Sequence, residues 1–307
     1  MKKEKKYSGV IIPTITPFTA EGEIDDRGLV KIIENMVENN SEALVFGTTG
    51  ETASIPNAKK ISSMKNIVSQ LGGKTRIYAA VSDNSFEDAI YSANSYLDNG
   101  AEAVVVLLPG YYPIKENQMI NYFEKFAEKV NGPMFLYNIP ATTHISIPLE
   151  VVDKLSTHEK IVGFKDSERS MERLEKSVEL WKDREDFSHF IGWGAQCLNG
   201  LFMGSDGIVP STGNFDAKCY KDLYDAVLSN DMEKAQAAQD RSTEISLIYQ
   251  KDRILSESLA ALKVMMDEVG LCGTKVQLPF TQLDSDDEQN IRKATREIIE
   301  KFNLSWR

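Results

Sequence analysis

Cysteine is scarce in this chain, and the few that occur lie far apart. Three are present among 307 residues, at Cys197, Cys219 and Cys272. Disulfide frameworks and structural zinc sites need cysteines in paired or closely spaced motifs. The spacing therefore argues against both, and it predicts reduced thiols in a cytoplasmic protein.

Basic residues are in the minority, with 35 Lys and Arg against 46 Asp and Glu and a net charge of −11. A protein that binds nucleic acid presents a basic face to the phosphates. The acidic balance therefore argues against a nucleic-acid partner. The sequence also lacks a clustered His, Asp and Glu ligand set, so we expect neither a metal nor a cofactor.

Long apolar runs are missing as well. The first six residues are basic, but no apolar segment follows them as it would in a secretory signal. No run approaches the roughly 20 apolar residues of a membrane-spanning helix. The sequence thus predicts no membrane partner.

The chain does contain short apolar runs that alternate with amphipathic helical patterns. Eight strand candidates fall at residues 9–16, 42–46, 76–81, 103–108, 134–138, 161–165, 187–192 and 207–210. Runs of Val, Ile and Leu are typical of parallel strands buried on both faces. Eight such units with short loops indicate an α/β fold, a closed (β/α)8 TIM barrel. The first βα turn lacks the glycine-rich dinucleotide fingerprint, which argues against a nicotinamide-binding fold.

The strand pattern stops at about residue 217. Segments 218–229, 232–249, 254–269 and 286–302 have helical periodicity, with Gly270 and Gly273 marking a break. We therefore predict a catalytic (β/α)8 barrel at residues 1–217 and a C-terminal helical extension at residues 218–307. The extension would cover the barrel or form subunit contacts.

A lysine ends the sixth predicted strand. The apolar residues from Ile161 are followed by Lys165 and then by the turn-forming Asp166 and Ser167. Burial disfavours a charged ammonium, and such a lysine can attack a carbonyl and form an imine. The alternative is an ordinary lysine that extends to solvent. Lys165 lies at the carboxyl end of its strand, where barrel enzymes carry their chemistry.

The second predicted strand leads into a turn in which two glycines enclose Thr48 and Thr49. Such a turn directs backbone N–H groups and hydroxyls to one place, which suits a small anion such as a carboxylate. The alternative is helix capping, with Thr49 or Thr52 as the N-cap of the next helical turn.

Tyrosines follow two further strands. Tyr137, at the end of the fifth, would place a phenol beside Lys165 on the sixth strand, where it can shuttle protons. The alternative is a core tyrosine bonded to backbone. Tyr111 and Tyr112, in the loop after the fourth strand, predict a binding surface for substrate or for a neighbouring subunit.

In combination and in this order, the motifs resemble those of the N-acetylneuraminate lyase and dihydrodipicolinate synthase family of pyruvate-dependent class I aldolases. The matching segments are residues 47–51, 111–112, 137–140, 163–166 and 207–209. The resemblance extends over nearly the whole chain, including the helical extension. It implies a homotetrameric enzyme that forms a Schiff base with a 2-keto acid and needs no cofactor.

The resemblance also implies roles for individual residues. Lys165 would form the imine, and Tyr137 would transfer protons. Thr48 and Thr49 would hold the pyruvate carboxylate, and the backbone carbonyl of Val209 would contact the pyruvate moiety.

Thr48 would also join a hydroxyl relay to a second tyrosine, which in this family is often donated by a neighbouring subunit. Tyr112 matches the synthase-like pattern and Tyr111 the lyase-like one, so both stay candidates.

Two departures narrow the reaction. Thr142 stands five residues after Tyr137, where the synthase branch has an arginine that binds a substrate carboxylate. Gly194 and Ala195 replace the Asp-Glu pair with which the sialic-acid lyases bind sugar hydroxyls. The first difference argues against dihydrodipicolinate synthesis, and the second argues against cleavage of N-acetylneuraminate.

The run from Lys165 to Ser167 resembles the 2-keto-3-deoxy sugar acid aldolases of the family, and Ser211 fits a hydroxyl-binding position. Thr142 and Ser167 are further candidates for substrate contact. His144 replaces a common glycine, and Trp193 is a candidate pocket wall or a packing residue.

The sequence therefore predicts cleavage of a 2-keto-3-deoxy sugar acid to pyruvate and an aldehyde. The alternatives are a dehydratase and decarboxylase of a keto-deoxy sugar diacid, N-acetylneuraminate lyase and dihydrodipicolinate synthase. Outside enzymes, the alternative is a non-catalytic keto-acid sensor.

Overall fold

Eight parallel strands close into a barrel in this computed structural model, which describes residues 5–306. Each strand pairs with the next in chain order, and the eighth pairs with the first. The strands are β1 Gly9–Pro13, β2 Glu42–Val45, β3 Ile77–Val81, β4 Ala103–Leu107, β5 Met134–Asn138, β6 Ile161–Asp166, β7 Ser188–Ile191 and β8 Gly207–Ile208. The predicted TIM barrel is confirmed.

Helices follow the strands and continue beyond them. They are α1 Asp26–Glu38, α2 Asn57–Leu71, α3 Phe86–Asp98, α4 Glu116–Lys129, α5 Pro140–Thr143, α6 Leu149–Leu155, α7 Met171–Trp181, α8 Cys197–Met203, α9 Ala217–Leu228, α10 Met232–Gln250, α11 Leu255–Glu268 and α12 Ser285–Phe302. The short α5 and α8 were not predicted from the sequence. Helix α5 has only four residues, about one turn, which is too short to show helical periodicity.

The extension begins against the barrel itself. Helix α9 packs against β1, α1 and α8, and α10 lies on α8 and α9. Helix α11 then packs against α10 and α12. The boundary at residue 217 stays a prediction. It assigns α9 to the extension, although α9 lies in the ring of helices around the barrel.

The barrel interior contains an aromatic cluster towards its amino end. The Phe135 ring centre lies 5.2 Å from that of Tyr7, 5.9 Å from Tyr78 and 5.8 Å from Phe190. All three contacts are edge to face, the arrangement that aromatic pairs favour. The phenol of Tyr78, one of these four residues, donates a hydrogen bond to Glu42. We call these four rings the aromatic floor, because they fill the barrel beneath its carboxyl end.

Glycine at position 207 is required by packing inside the barrel. A Cβ there would lie 2.2 Å from the Phe190 ring and 2.4 Å from the carbonyl oxygen of Gly9. Since overpacking a core costs about 1–3 kcal/mol, Gly207→Ala is expected to lower the free energy of unfolding by roughly that amount. Urea unfolding followed by circular dichroism measures the change.

Gly273→Ala is the matched control, because a Cβ at Gly273 meets nothing within 4 Å. It should shift the free energy of unfolding by no more than about 0.5 kcal/mol. Equal losses in the two variants would show that the clash at Gly207 does not matter.

The three thiols are unpaired. Cys197 and Cys219 are buried and Cys272 is half-buried. Burial raises the pKa of all three thiols, that of Cys272 to about 12. Among residues 5–306, no helix has both the length and the apolar character needed to cross a membrane. The same residues contain no group of three His, Cys, Asp or Glu side chains placed to hold a metal.

Candidate active site

Lys165 lies at the carboxyl end of β6 with its side chain inside the barrel. It is 5% exposed, so it does not extend to solvent. The parallel register pairs it directly with Tyr137 on β5. Its Nζ lies 3.8 Å from the centre of the Tyr137 ring, within the range of a cation–π contact.

The space next to Lys165 is apolar. It is lined by Ile11, Leu44, Tyr78, Val105, Phe135, Phe190 and Val209, with Lys165 as the only charged lining residue among those described. The aromatic floor thus forms the lower side of this pocket. The cavity measures only about 10 Å³, too little for a keto acid, so it is a packing gap beneath the amine. The Tyr137 phenol hydrogen-bonds to the amine, and an amine in such surroundings can react with a carbonyl group that comes within reach.

The Tyr137 phenol is fully buried beside the amine. Burial is the largest single influence and raises the pKa of this phenol, but the charge of Lys165 and the surrounding hydrogen bonds together outweigh it. These hydrogen bonds join the phenol to the side chains of Lys165, Ser167 and Thr48. The pKa of Tyr137 therefore lies below its ordinary value of 10, which favours proton exchange by this group.

The turn after β2 is closed by its own hydrogen bonds and leaves two adjacent N–H groups available. Its internal hydrogen bonds run from Gly50 N to Gly47 O (3.0 Å) and from Glu51 N to Thr48 O (3.2 Å). Within the described residues, the backbone N–H groups of Thr48 and Thr49 donate to no protein acceptor. Two adjacent N–H groups with two hydroxyls beside them can bind a carboxylate.

The capping alternative for these threonines is wrong. A 3-10 helix, Thr52–Ser54, begins after Glu51 without a side-chain cap. Helix α2 begins after Pro56, also without one. The Thr52 hydroxyl instead accepts a hydrogen bond from the buried Lys60. The threonines of the turn are therefore not occupied in capping.

A polar network joins the ends of β5 and β6. Asn138 Nδ2 donates to Asp166 Oδ1 at 2.8 Å and to Glu168 Oε2 at 2.9 Å. Arg173, on α7, donates from Nε to Asp166 Oδ2 at 2.6 Å. Asn138 follows Tyr137 and Asp166 follows Lys165, so the network fixes the two strand ends that carry the phenol and the amine. The sequence reasoning missed it because Asn138 and Asp166 entered only as members of matched segments, and Arg173 belongs to none of them.

Several of the predicted residues lie close to Lys165. Val209 is buried and lines the pocket, and its N–H donates to Ile191 O at 2.8 Å. Ser167 hydrogen-bonds with Tyr137, and its side chain fills the space that a Cβ on Gly192 would occupy.

Other predicted site residues have contacts away from Lys165 or are exposed. The Ser211 hydroxyl lies 2.9 Å from the phenol oxygen of Tyr249, a buried residue of α10. Thr142 Oγ1 donates to Ile139 O within the α5 turn. Tyr111 and Tyr112 are 75% and 69% exposed, with their rings edge to face at 4.9 Å. Neither tyrosine is buried against the pocket of its own chain.

The two additional candidates differ in placement. His144 is exposed and ends α5 with a positive φ of 57°, a conformation that favours glycine. Trp193 is half-buried and packs against the core between barrel and helices. The packing interpretation of Trp193 therefore agrees with its position.

Comparison with known proteins places this site in a family. The model of the dihydrodipicolinate synthetase family matches residues 6–298. A 4-hydroxy-tetrahydrodipicolinate synthase of Pseudomonas aeruginosa is 27% identical over 291 residues, which cover 94% of this chain and 98% of that protein.

Solved structures agree. Dihydrodipicolinate synthase from Bacteroides thetaiotaomicron has a TM-score of 0.90 at 27% identity, covering 95% of this chain and 99% of that one. The synthase from Aquifex aeolicus has a TM-score of 0.86 at 26% identity, covering 98% and 100%. The chain therefore belongs to the dihydrodipicolinate synthetase family, whose members are Schiff-base-forming carbon–carbon lyases.

Proposed function

We propose that this class I aldolase cleaves a 2-keto-3-deoxy sugar acid to pyruvate and an aldehyde. The observation that carries the proposal is the placement of the Lys165 Nζ 3.8 Å from the Tyr137 ring centre, in apolar surroundings. An amine and a phenol so placed are the two groups that imine formation and proton transfer need.

The reaction follows from these positions. The substrate carboxylate binds the N–H groups and hydroxyls of Thr48 and Thr49, and Lys165 attacks the C2 ketone with loss of water. Tyr137 accepts the proton of the C4 hydroxyl as the C3–C4 bond breaks, and the bonding electrons move into the protonated imine. The aldehyde leaves, the enamine is protonated at C3, and water releases pyruvate from Lys165.

The remaining predicted residues serve the far end of the substrate. In this proposal Ser167, Ser211 and Thr142 contact its hydroxyls, and the Val209 carbonyl contacts the pyruvyl part. Either Tyr111 or Tyr112 reaches Thr48 of a partner subunit, which the exposure of both rings supports. The protein is then cytoplasmic and a homotetramer. The family resemblance supports the tetramer, and the composition gives no information on it.

A second candidate is synthesis of 4-hydroxy-tetrahydrodipicolinate, the reaction named for the curated relatives. It uses the same kind of imine with pyruvate. Thr142 argues against it, because the hydroxyl at this position bonds to its own helical turn and carries no positive charge for a second carboxylate.

The test is a panel of 2-keto-3-deoxy sugar acids assayed for pyruvate release. At least one member should be cleaved, and pyruvate with borohydride should leave a reduced three-carbon adduct on Lys165, detected by peptide mass spectrometry. Release of carbon dioxide from a keto-deoxy diacid would favour the dehydratase and decarboxylase instead. Formation of 4-hydroxy-tetrahydrodipicolinate would favour the synthase, and N-acetylneuraminate cleavage the sialic-acid lyase. No turnover of any of these compounds would favour the sensor.

A further inference from the structure

Two residues with left-handed backbone conformations flank the turn that carries Thr48 and Thr49. Phe46 has a φ of 55° and Glu51 a φ of 58°. Residues other than glycine adopt this conformation rarely, and it persists where the surroundings enforce it. Phe46 is held by packing, since it is fully buried and its ring stacks on Tyr96 at 5.9 Å. Glu51 has a different anchor.

That anchor comes from the helical extension. The Glu51 carboxylate forms a buried ion pair with Lys263 of α11, and neither side chain is more than 1% exposed. The second carboxylate oxygen accepts a hydrogen bond from Gln277 N at 2.8 Å. Lys263 also donates to Lys275 O at 2.8 Å, and its Nζ lies 4.2 Å from the Phe18 ring centre.

A pair of this kind is not explained by stability alone. Removing two charges from water costs about as much as their attraction returns, so an apolar pair of similar size is often equally stable. The Glu51–Lys263 pair instead fixes the position of the turn. It holds the strained end of the turn at one position against α11, whose Lys263 lies 212 residues from Glu51 in sequence.

We propose that Glu51 and Lys263 are positioning residues for keto-acid binding. Through them, α11 fixes the turn so that the free N–H groups of Thr48 and Thr49 point to one carboxylate. This inference rests on the proposed function, because it assumes that the carboxylate of pyruvate binds there. The helical extension is in this way part of the substrate site, although it contributes no group that touches the substrate.

The test measures the pyruvate concentration that gives half-maximal borohydride trapping on Lys165, which needs no knowledge of the aldehyde. Glu51→Gln and Lys263→Met should raise it by about tenfold to a hundredfold, since a misplacement of about 1 Å costs on the order of a hundredfold. Trapping at saturating pyruvate should persist, because Lys165 itself is unchanged. The double variant Glu51→Gln/Lys263→Met leaves no unpaired charge. If a single variant does not fold, the double variant therefore takes its place in the same measurement.

Arg241→Met is the matched control. It breaks the ion pair between Arg241 on α10 and the buried Asp216, the N-cap of α9, and this pair likewise joins the extension to the part of the chain that precedes it. Its thermal midpoint should fall while its half-saturation for pyruvate stays within twofold of the wild type.

Two outcomes would overturn the inference. One is an unchanged half-saturation in the folded Glu51 and Lys263 variants, and the other is an equal rise in Arg241→Met. Failure of the wild-type protein to trap pyruvate on Lys165 at all is a separate result, which would instead remove the proposed function.

Discussion

Lys165→Ala is expected to reduce turnover by a factor on the order of 10⁴ or more and to abolish the pyruvate adduct. Without the amine no imine forms, and the remaining groups contribute only binding and proton transfer. The fold should be retained, because the change removes a buried polar group and leaves the strand pairing with β5 intact. Steady-state kinetics, mass spectrometry after borohydride reduction and circular dichroism measure the three quantities.

Lys160→Ala controls for loss of a lysine near the same strand. Lys160 precedes β6 at the opposite end of the barrel, where its Nζ donates to Val130 O. Its turnover should stay within about twofold of the wild type, as expected for a surface change. A reducible adduct that survives in Lys165→Ala, or appears on another lysine, would contradict the assignment.

Tyr137→Phe has the second largest expected effect, a fall in kcat of about 10²–10⁴-fold, the usual contribution of a general acid–base group. The phenylalanine ring keeps the face that lies under the Lys165 Nζ, so the amine should stay in place. Half-saturation for pyruvate trapping should therefore change little. A variant that raises only KM would show that the phenol binds substrate without transferring protons.

The pH profile gives the same prediction an independent readout. The phenol accepts a proton as the C3–C4 bond breaks, so kcat of the wild type should rise with pH towards the pKa of Tyr137. That pKa lies below 10, because the charge of Lys165 and the hydrogen bonds around the phenol outweigh the effect of burial.

In Tyr137→Phe this rise of kcat with pH, the alkaline limb of the profile, should disappear. Tyr122→Phe is the control, since the Tyr122 hydroxyl is buried on α4 with no hydrogen-bond partner among the described residues. It should retain both kcat and the limb.

Much of the barrel and the centre of the site could be predicted from the sequence. Most strands are predominantly apolar, and β4 is an unbroken run of Ala, Val and Leu, because parallel strands are buried on both faces. Parallel pairing of consecutive strands brings Tyr137 near Lys165, but their direct pairing depends on a register shift between Met134 and Phe135, which the sequence does not predict. Family motifs added the turn at Thr48 and Thr49.

Contacts between distant segments could not be predicted. Lys263 lies within an apolar run of α11 that is buried on all sides, which signals a buried lysine but does not identify Glu51 as its partner. The same holds for Tyr249, whose phenol reaches Ser211 and Thr212 at 2.9 and 2.8 Å. Such pairs depend on how α10 and α11 pack against the barrel, and local periodicity contains no information on that packing.

The aromatic floor has a consequence for the sequence of events in catalysis. Because Tyr7, Tyr78, Phe135 and Phe190 fill the barrel below Lys165, we expect the substrate to reach the amine from the carboxyl ends of the strands. In the proposed reaction the pyruvyl carbons are bound to Lys165 at depth, and the aldehyde lies nearer those strand ends. The aldehyde must then depart before pyruvate, and in the reverse direction pyruvate must enter first.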